Sequence, residues 1–426
     1  MHPNGPFDDV ARLHLKTFDD ALGHDIVETH MWAVREGLRG ASAYDLFDGY
    51  CQRLVIRGTP LWRGHASMET LHPQWNGYGY TWRRDLNAIE PAQYAHGGQD
   101  EQIWVTSPFY ALIARARAGE ENPSMRRCLA RSPEERDFPI LEEFFGLGAT
   151  DYVAYLFIYG EEGDRSQGTG IVYSFATDRK AGFADDDLTL LQATLPALSL
   201  AIKSHAAHMI ASGLLGAYLG PDAGRRVHQG AVTRGSLEKI RAVIWYADIR
   251  GFTTISGSAA DASLIDLLNE TFEILTAALR ERGGQVLKFI GDAMLATFPF
   301  EEEDRANACR RAIDAVRDAT QRFDALNRER EAAGAPPVVV DHALHIGEVL
   351  YGNIGAVDRL DFTVIGPAVN EVTRIEALCQ PLDRAVLVSE EFAAAADASD
   401  RLESLGRQTL RGVSEPKEIF ALAPAL

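Results

Sequence analysis

Asp248 and Asp292 carry the clearest capacity for chemistry in this sequence. Asp248 closes the apolar run Val243-Ile244-Trp245-Tyr246-Ala247, and Asp292 follows Val286-Leu287-Lys288-Phe289-Ile290-Gly291. Each carboxylate therefore stands where an apolar strand ends or turns. Alone, either would serve as an ordinary turn residue. Together they offer what a pair of Mg²⁺ ions needs, because such ions are hard, take oxygen ligands and lean on substrate phosphates for the rest. The run Arg250-Gly251-Phe252-Thr253 comes directly after Asp248. Gly251 has no side chain, so backbone N–H groups there can approach an anionic ligand. Asn370 and Arg374 lie four apart in a helical pattern and share one face, either as a solvated polar pair or aimed at a ligand.

The segments that must position these residues read β-α-β-β-α-β. A strand over 241–249 is apolar nearly throughout, as in a strand buried on both faces. A helix over 261–280 carries Ile265, Leu268, Phe272, Leu275 and Leu279 on one side, and Gly283-Gly284 ends it. Strands over 285–290 and 294–298 form a hairpin whose turn holds Gly291 and Asp292. A helix over 304–331 comes next, then strands over 338–346, 350–354 and 362–365. A helix over 369–378 and strands over 385–388, 402–410 and 417–422 complete the sheet.

Five blocks in this order resemble the catalytic domain of the class III adenylate and guanylate cyclases. They are the two Asp-bearing pieces, His345-Ile346-Gly347-Glu348-Val349, Gly352-Asn353-Ile354-Gly355, and the run from Val364-Ile365-Gly366-Pro367 through Asn370 to Arg374-Ile375. The resemblance spans about residues 236–423. It implies a ferredoxin-like α+β domain that converts ATP to cyclic AMP and pyrophosphate with two Mg²⁺ or Mn²⁺ ions. It implies that Asp248, Asp292 and the backbone carbonyl of Ile249 hold the ions. The N–H groups of Arg250, Gly251, Phe252 and Thr253 would cradle the phosphates. Asn370 would position the ribose, and Arg374 would neutralise the α-phosphate in the transition state. Arg411 falls near the position from which the family supplies a cation to the terminal phosphates, although the loop lacks the family's usual lysine pair.

Lys288 and Thr363 stand where the family reads the base. An ammonium only donates, which suits the N1 acceptor of adenine; guanine N1 carries a proton, and guanylate cyclases have Glu at this place. Many adenylate cyclases have Asp where this chain has Thr363, and a hydroxyl, able to donate or accept, decides little. In the family one subunit brings the metal ligands and the other brings the base contact, the Asn and the Arg. One chain holding both sets implies a homodimer with two equivalent sites. A guanylate cyclase is the nearest alternative reading. A catalytically inactive nucleotide-binding regulatory module is an alternative of another class, and the presence of Asp248, Asp292, Asn370 and Arg374 speaks against it.

Residues 1–205 read as one sensor-type domain. Helices are expected over 10–38 and 44–56, then an aromatic, strand-like region containing Trp62, Trp75, Tyr78, Tyr80 and Trp82. A short helix over 137–145 and strands over 151–159 and 170–177 come next, the strands joined by a Gly-rich turn over 160–168. A helix over 183–203 carries Leu188, Leu191, Leu195, Leu198 and Ile202. This end resembles a GAF domain, which implies a sensor for an unknown small-molecule or protein signal. The aromatic cluster reads as sheet core rather than as a pocket. His65, His72 and His96 show no metal-ligand spacing. A linker over 206–235 continues the helix, breaks at Gly220-Pro221 and restarts with Asp222 as the expected N-cap; the catalytic domain takes 236–426.

The 426 residues are enough for two or three domains with cores of their own. A formal net charge of −19 argues against a nucleic-acid or anionic-membrane partner. An acidic chain still binds ATP where metal ions set the local field. The four cysteines, Cys51, Cys128, Cys309 and Cys379, are widely spaced and read as free thiols of a reducing compartment. No run approaches the ~20 apolar residues of a membrane span. A soluble, cytoplasmic protein is expected.

Overall fold

The computed structural model describes residues 20–96, 101–159, 170–257, 261–396 and 402–423. The first part of the helix expected over 10–38 and the turn expected over 160–168 lie outside the described residues. The chain is of mixed α+β class and divides into two compact units, Met1–Leu214 and Leu215–Leu426.

The first unit is built on an antiparallel six-stranded sheet, order β3-β2-β1-β6-β5-β4. The strands are β1 (Arg63–Glu69), β2 (Trp75–Arg83), β3 (Ala88–Ala95), β4 (Ser124–Arg127), β5 (Asp151–Ile158) and β6 (Gly170–Thr177). Alternation along β5 and β6 feeds two cores, since successive side chains point to opposite faces. Val153, Tyr155, Ile171, Tyr173 and Phe175 pack with the helices Ala43–Ile56 and Asp185–Leu219. Tyr152, Ala154, Leu156, Val172 and Ala176 pack with Pro108–Arg117 and Pro139–Gly146. With both faces covered, β5 and β6 are buried along almost their whole length. Trp82 is wholly buried in the first core, and Trp62 meets Phe144 edge-on at 5.9 Å between ring centres. His65 is buried, bonds Thr81 Oγ1 at 2.8 Å and stacks on Phe109. The His72 ring accepts from the Gln74 N–H at 3.1 Å, and the His96 ring bonds the His72 carbonyl at 2.9 Å.

Helix Asp185–Leu219 stops at Gly220, whose φ of 86° lies in the left-handed region that favours glycine. Helix Pro221–His228 starts there, with Gly220 and not Asp222 as its N-cap. The Asp222 carboxylate is engaged elsewhere: it accepts from Arg226 Nε at 2.8 Å and from the Tyr351 hydroxyl at 3.2 Å.

The second unit contains the β-α-β-β-α-β core. Its elements are β7 (Leu237–Ile249), helix Asp261–Glu281, β8 (Gln285–Ile290), β9 (Ala293–Pro299), helix Arg305–Ala332 and β10 (Val340–Gly355). They are followed by β11 (Leu360–Ile365), helix Pro367–Glu376, β12 (Val386–Ser389), helix Glu390–Ala396, β13 (Leu402–Gln408) and β14 (Lys417–Leu422). The sheet order is β13-β14-β12-β10-β7-β9-β8, with β11 paired to β10. On one face Val243, Trp245, Ala247 and Ile249 pack with Leu275, Leu279, Ile313, Val316 and Phe323 of the two long helices. On the other, Ile244, Ala343 and Leu387 pack with Val372 and Ile375 of helix Pro367–Glu376.

β10 corrects one expectation. The break expected at 347–349 does not occur, and the strand runs without interruption, Gly347 opposite Ala242 and Glu348 opposite Arg241. Gly347 serves a close approach instead of a turn: a β-carbon there would stand 2.6 Å from that of Ala368. The missing side chain seats helix Pro367–Glu376 directly on the strand.

Candidate active site

Asp248 lies at the end of β7, opposite Ala293 on β9 and Asp341 on β10. Ile290 pairs with Ala293, so Gly291 and Asp292 alone form the hairpin turn, Gly291 at a φ of 64°. That tight turn brings Asp292 to Asp248. The Asp248 carboxyl is pushed up to about 6, first by burial and then by the charge of Asp292 and a hydrogen bond with it. The Ile249 N–H opposes this by bonding the Asp248 carboxylate. Glu376, at the end of helix Pro367–Glu376, is pushed up to about 7 by burial and by the charges of Asp248, Asp341 and Asp292. Crowded carboxylates that resist ionising together are a donor set suited to divalent cations, which take oxygen ligands and relieve that repulsion.

The loop after Asp248 departs from expectation at one residue. The Arg250 N–H donates to the Val339 carbonyl at 2.9 Å, and its guanidinium grips Asp341 with Nη2–Oδ1 at 2.5 Å and Nε–Oδ2 at 2.9 Å. Arg250 therefore fastens the loop to β10 and is not part of an N–H cradle. Gly251 takes a φ of 73°, and helix Phe252–Ser256 begins with Thr254 and Ile255 donating to the Gly251 carbonyl. The N–H groups of Gly251, Phe252 and Thr253 precede those bonds, as the first amides of any helix do.

Asn370 is exposed and Arg374 half-buried on helix Pro367–Glu376. The Arg374 guanidinium lies against Gly412, whose φ is 76° and whose added β-carbon would be 3.5 Å from Nη2. Exposed Arg411 is thus next in sequence to the residue that Arg374 touches. Lys288, on the edge strand β8, bonds Asp361 Oδ2 on β11. Thr363 is half-buried two residues along β11, opposite Gly352. The β8–β9 hairpin therefore turns Lys288 toward β11 and Asp292 toward β7.

Residues 237–423 match the profile of the adenylate and guanylate cyclase catalytic domain. This region is a class III adenylate/guanylate cyclase catalytic domain. An adenylate cyclase of Anabaena cylindrica is 34% identical to the chain over 160 residues, 37% of this chain and 31% of that protein. Adenylate cyclase 1 of Rhizobium meliloti (strain 1021) is 29% identical over 178 residues, 41% of this chain and 26% of that protein. The chain thus spans about a third or less of the length of these relatives. Among solved structures, the adenylyl cyclase CyaB from P. aeruginosa is 24% identical with a TM-score of 0.41, covering 45% of this chain and 97% of that one.

Asp341, Asp361 and Glu376 were not picked out from the sequence of the cyclase domain. Asp341 faces Asp248 across a strand pair, and that register emerges only once β7 and β10 are aligned. One further cluster resembles a metal site. His345, Glu371 and Glu391 bring ligand atoms within 4.8 Å of one another. The chain's own cation fills it: the Lys417 ammonium bonds Glu391 Oε1 and lies 3.5 Å from Glu371 Oε1. His345 Nδ1 bonds Ser389 Oγ at 2.8 Å. Among the described residues no helix is long and apolar enough to cross a membrane.

Proposed function

We propose that this protein is an adenylate cyclase that converts ATP to 3′,5′-cyclic AMP and pyrophosphate as a homodimer. The observation that carries the reading is the convergence of Asp248 and Asp292 beside the Gly251 turn. Asp248, Asp292 and the Ile249 carbonyl would hold two Mg²⁺ or Mn²⁺ ions. When bound, such ions lower the pKa of the ribose 3′-hydroxyl and offset charge on the departing pyrophosphate. In the reaction the 3′-oxygen bonds to the α-phosphorus, and the bond from that phosphorus to the β-phosphate oxygen breaks. The N–H groups of Gly251, Phe252 and Thr253 hold the phosphates, with Arg411 as a further cation. Asn370 orients the ribose, and Arg374 offsets charge gathering on the α-phosphate, an effect strongest in the transition state. Lys288 donates to adenine N1, with Thr363 beside the base.

The homodimer reading draws support from the divided hairpin and from exposed apolar residues on β8, β10 and β11: Phe289, Ile290, Leu350, Leu360 and Ile365. Each subunit would give its metal pair to one site and its Lys288, Asn370 and Arg374 to the other. The first unit, read as a GAF-like sensor, would regulate turnover. Its long helix Asp185–Leu219 runs past the boundary at Leu214 and is the natural carrier of a signal.

The test is turnover of ATP and of GTP by the purified protein with Mg²⁺ or Mn²⁺, beside Asp248→Ala and Asp292→Ala. Cyclic AMP from the wild type and none from either folded variant is expected. Near-normal activity in either variant would sink the metal assignment, and preference for GTP would sink the choice of ATP.

A further inference from the structure

Among the described residues β8 and β11 are both edge strands, because β8 pairs only with β9 and β11 only with β10. In sheet order β10, β7 and β9 stand between them. Lys288 and Asp361 nevertheless bond, so the sheet curls until its two edges meet at this pair. Along β11, Phe362 and Val364 are buried in the core while Asp361 and Thr363 share the other face. Asp361 thus presents its carboxylate on the face that holds Thr363, with one oxygen on the Lys288 ammonium. Among the described residues Asp361 Oδ1 has no partner, and both side chains are close to half-exposed.

We propose that Asp361 is a specificity-determining residue: Oδ2 holds the Lys288 ammonium in place, and Oδ1 accepts a hydrogen from the exocyclic amino group of adenine. The inference rests on the adenylate cyclase reading above, in which Lys288 faces adenine N1. Adenine carries an acceptor, N1, directly beside a donor, the N6 amino group. An ammonium gripped by a carboxylate offers the complementary donor and acceptor side by side. Thr363 needs to supply neither, since the acceptor comes from two residues upstream. In the same pose guanine places O6 against the carboxylate and an N1 hydrogen against the ammonium, acceptor facing acceptor and donor facing donor. Such mismatches discriminate strongly, because both partners lose their hydrogen bonds. The Lys288–Asp361 pair thereby sets selectivity without a carboxylate at position 363.

The test compares kcat/KM for ATP with that for purine riboside 5′-triphosphate, which keeps N1 and lacks the amino group, using the full chain. A hydrogen bond to a charged group is worth about 10- to 100-fold in this ratio. The wild type is expected to prefer ATP by that factor. Asp361→Ala should bring the ratio to within about threefold, and Asp361→Asn, which keeps an acceptor oxygen, should fall between. Asp361 is exposed, so both variants should fold. If Asp361→Ala lowers turnover of both substrates alike and keeps the ratio, Asp361 is merely structural and the inference is wrong, while the adenylate cyclase reading stands. A wild type indifferent to the amino group would overturn the inference in the same way. A wild type that prefers GTP overturns both.

Discussion

Removing one member of the aspartate pair should stabilise the metal-free protein while it destroys activity. Asp248 is raised from 3.8 to about 6. At about 1.4 kcal/mol per tenfold, that displacement corresponds to roughly 3 kcal/mol held against the fold once the group is ionised. Burial is the larger cause and survives the substitution Asp292→Asn. Asp248 is also only half-buried, so solvent screens the rest, and about 1 kcal/mol is left to gain. The sign follows from the direction of the shift. Below 3.8 the carboxyl is protonated folded and unfolded, and the strain is absent. As pH rises through about 6 the folded form must ionise against Asp292, and the cost becomes complete. The gain from Asp292→Asn should therefore be full at pH 8 and only about a fifth as large at pH 5. The assay is urea unfolding of the metal-free full chain, followed by ¹⁹F NMR of 5-fluorotryptophan at Trp245, the sole tryptophan of Leu215–Leu426. With a slope of roughly 2–3 kcal/mol per molar urea, the midpoint should rise by about 0.4 M at pH 8. A lower midpoint, or a gain that does not grow with pH, would refute the repulsion argument.

Arg374→Ala should cost about 10²- to 10³-fold in kcat with little change in KM, because the charge it offsets gathers in the transition state. Steady-state kinetics with ATP decide, and a tenfold rise in KM at constant kcat would make Arg374 a ground-state binder. Asp292→Ala and Arg374→Ala, each with about 1% of wild-type activity or less alone, should rescue one another when co-expressed. Half of randomly paired dimers would be mixed, each with both lesions in one site and the other intact, so about a quarter of wild-type activity should return. Heterodimers isolated through two affinity tags would show it, and no recovery would mean that each site is built within one chain.

The cyclase domain was legible because its chemistry sits at chain punctuation. Asp248 and Asp292 stand at strand ends marked by Gly251 and Gly291, and the helix bearing Asn370 and Arg374 follows its own glycine, Gly366. What sequence reading missed depends on register or on edges. No strand is expected over 88–95, where Pro91 interrupts the pattern, yet β3 is an edge strand, where a missing N–H is tolerated. β4, Ser-Met-Arg-Arg, is the opposite edge, where charged residues are usual and hide the strand pattern. Helix Pro108–Arg117 was also passed over, despite its Ser107 cap and Pro at the first turn. Asp361 and Glu376 gain their partners only when distant elements meet, which no local spacing announces.

The contact between Gly347 and Ala368 limits how such an enzyme can be controlled. At that point there is no room for even a methyl group between strand and helix, so helix Pro367–Glu376 sits as close to β10 as a backbone allows. The bench on which Asn370 and Arg374 are mounted is seated directly on the sheet. A regulatory input of the kind proposed would then find little to adjust at this contact. In the proposed homodimer it would act as focusing acts on a pair of ground lenses, changing the distance and angle between them.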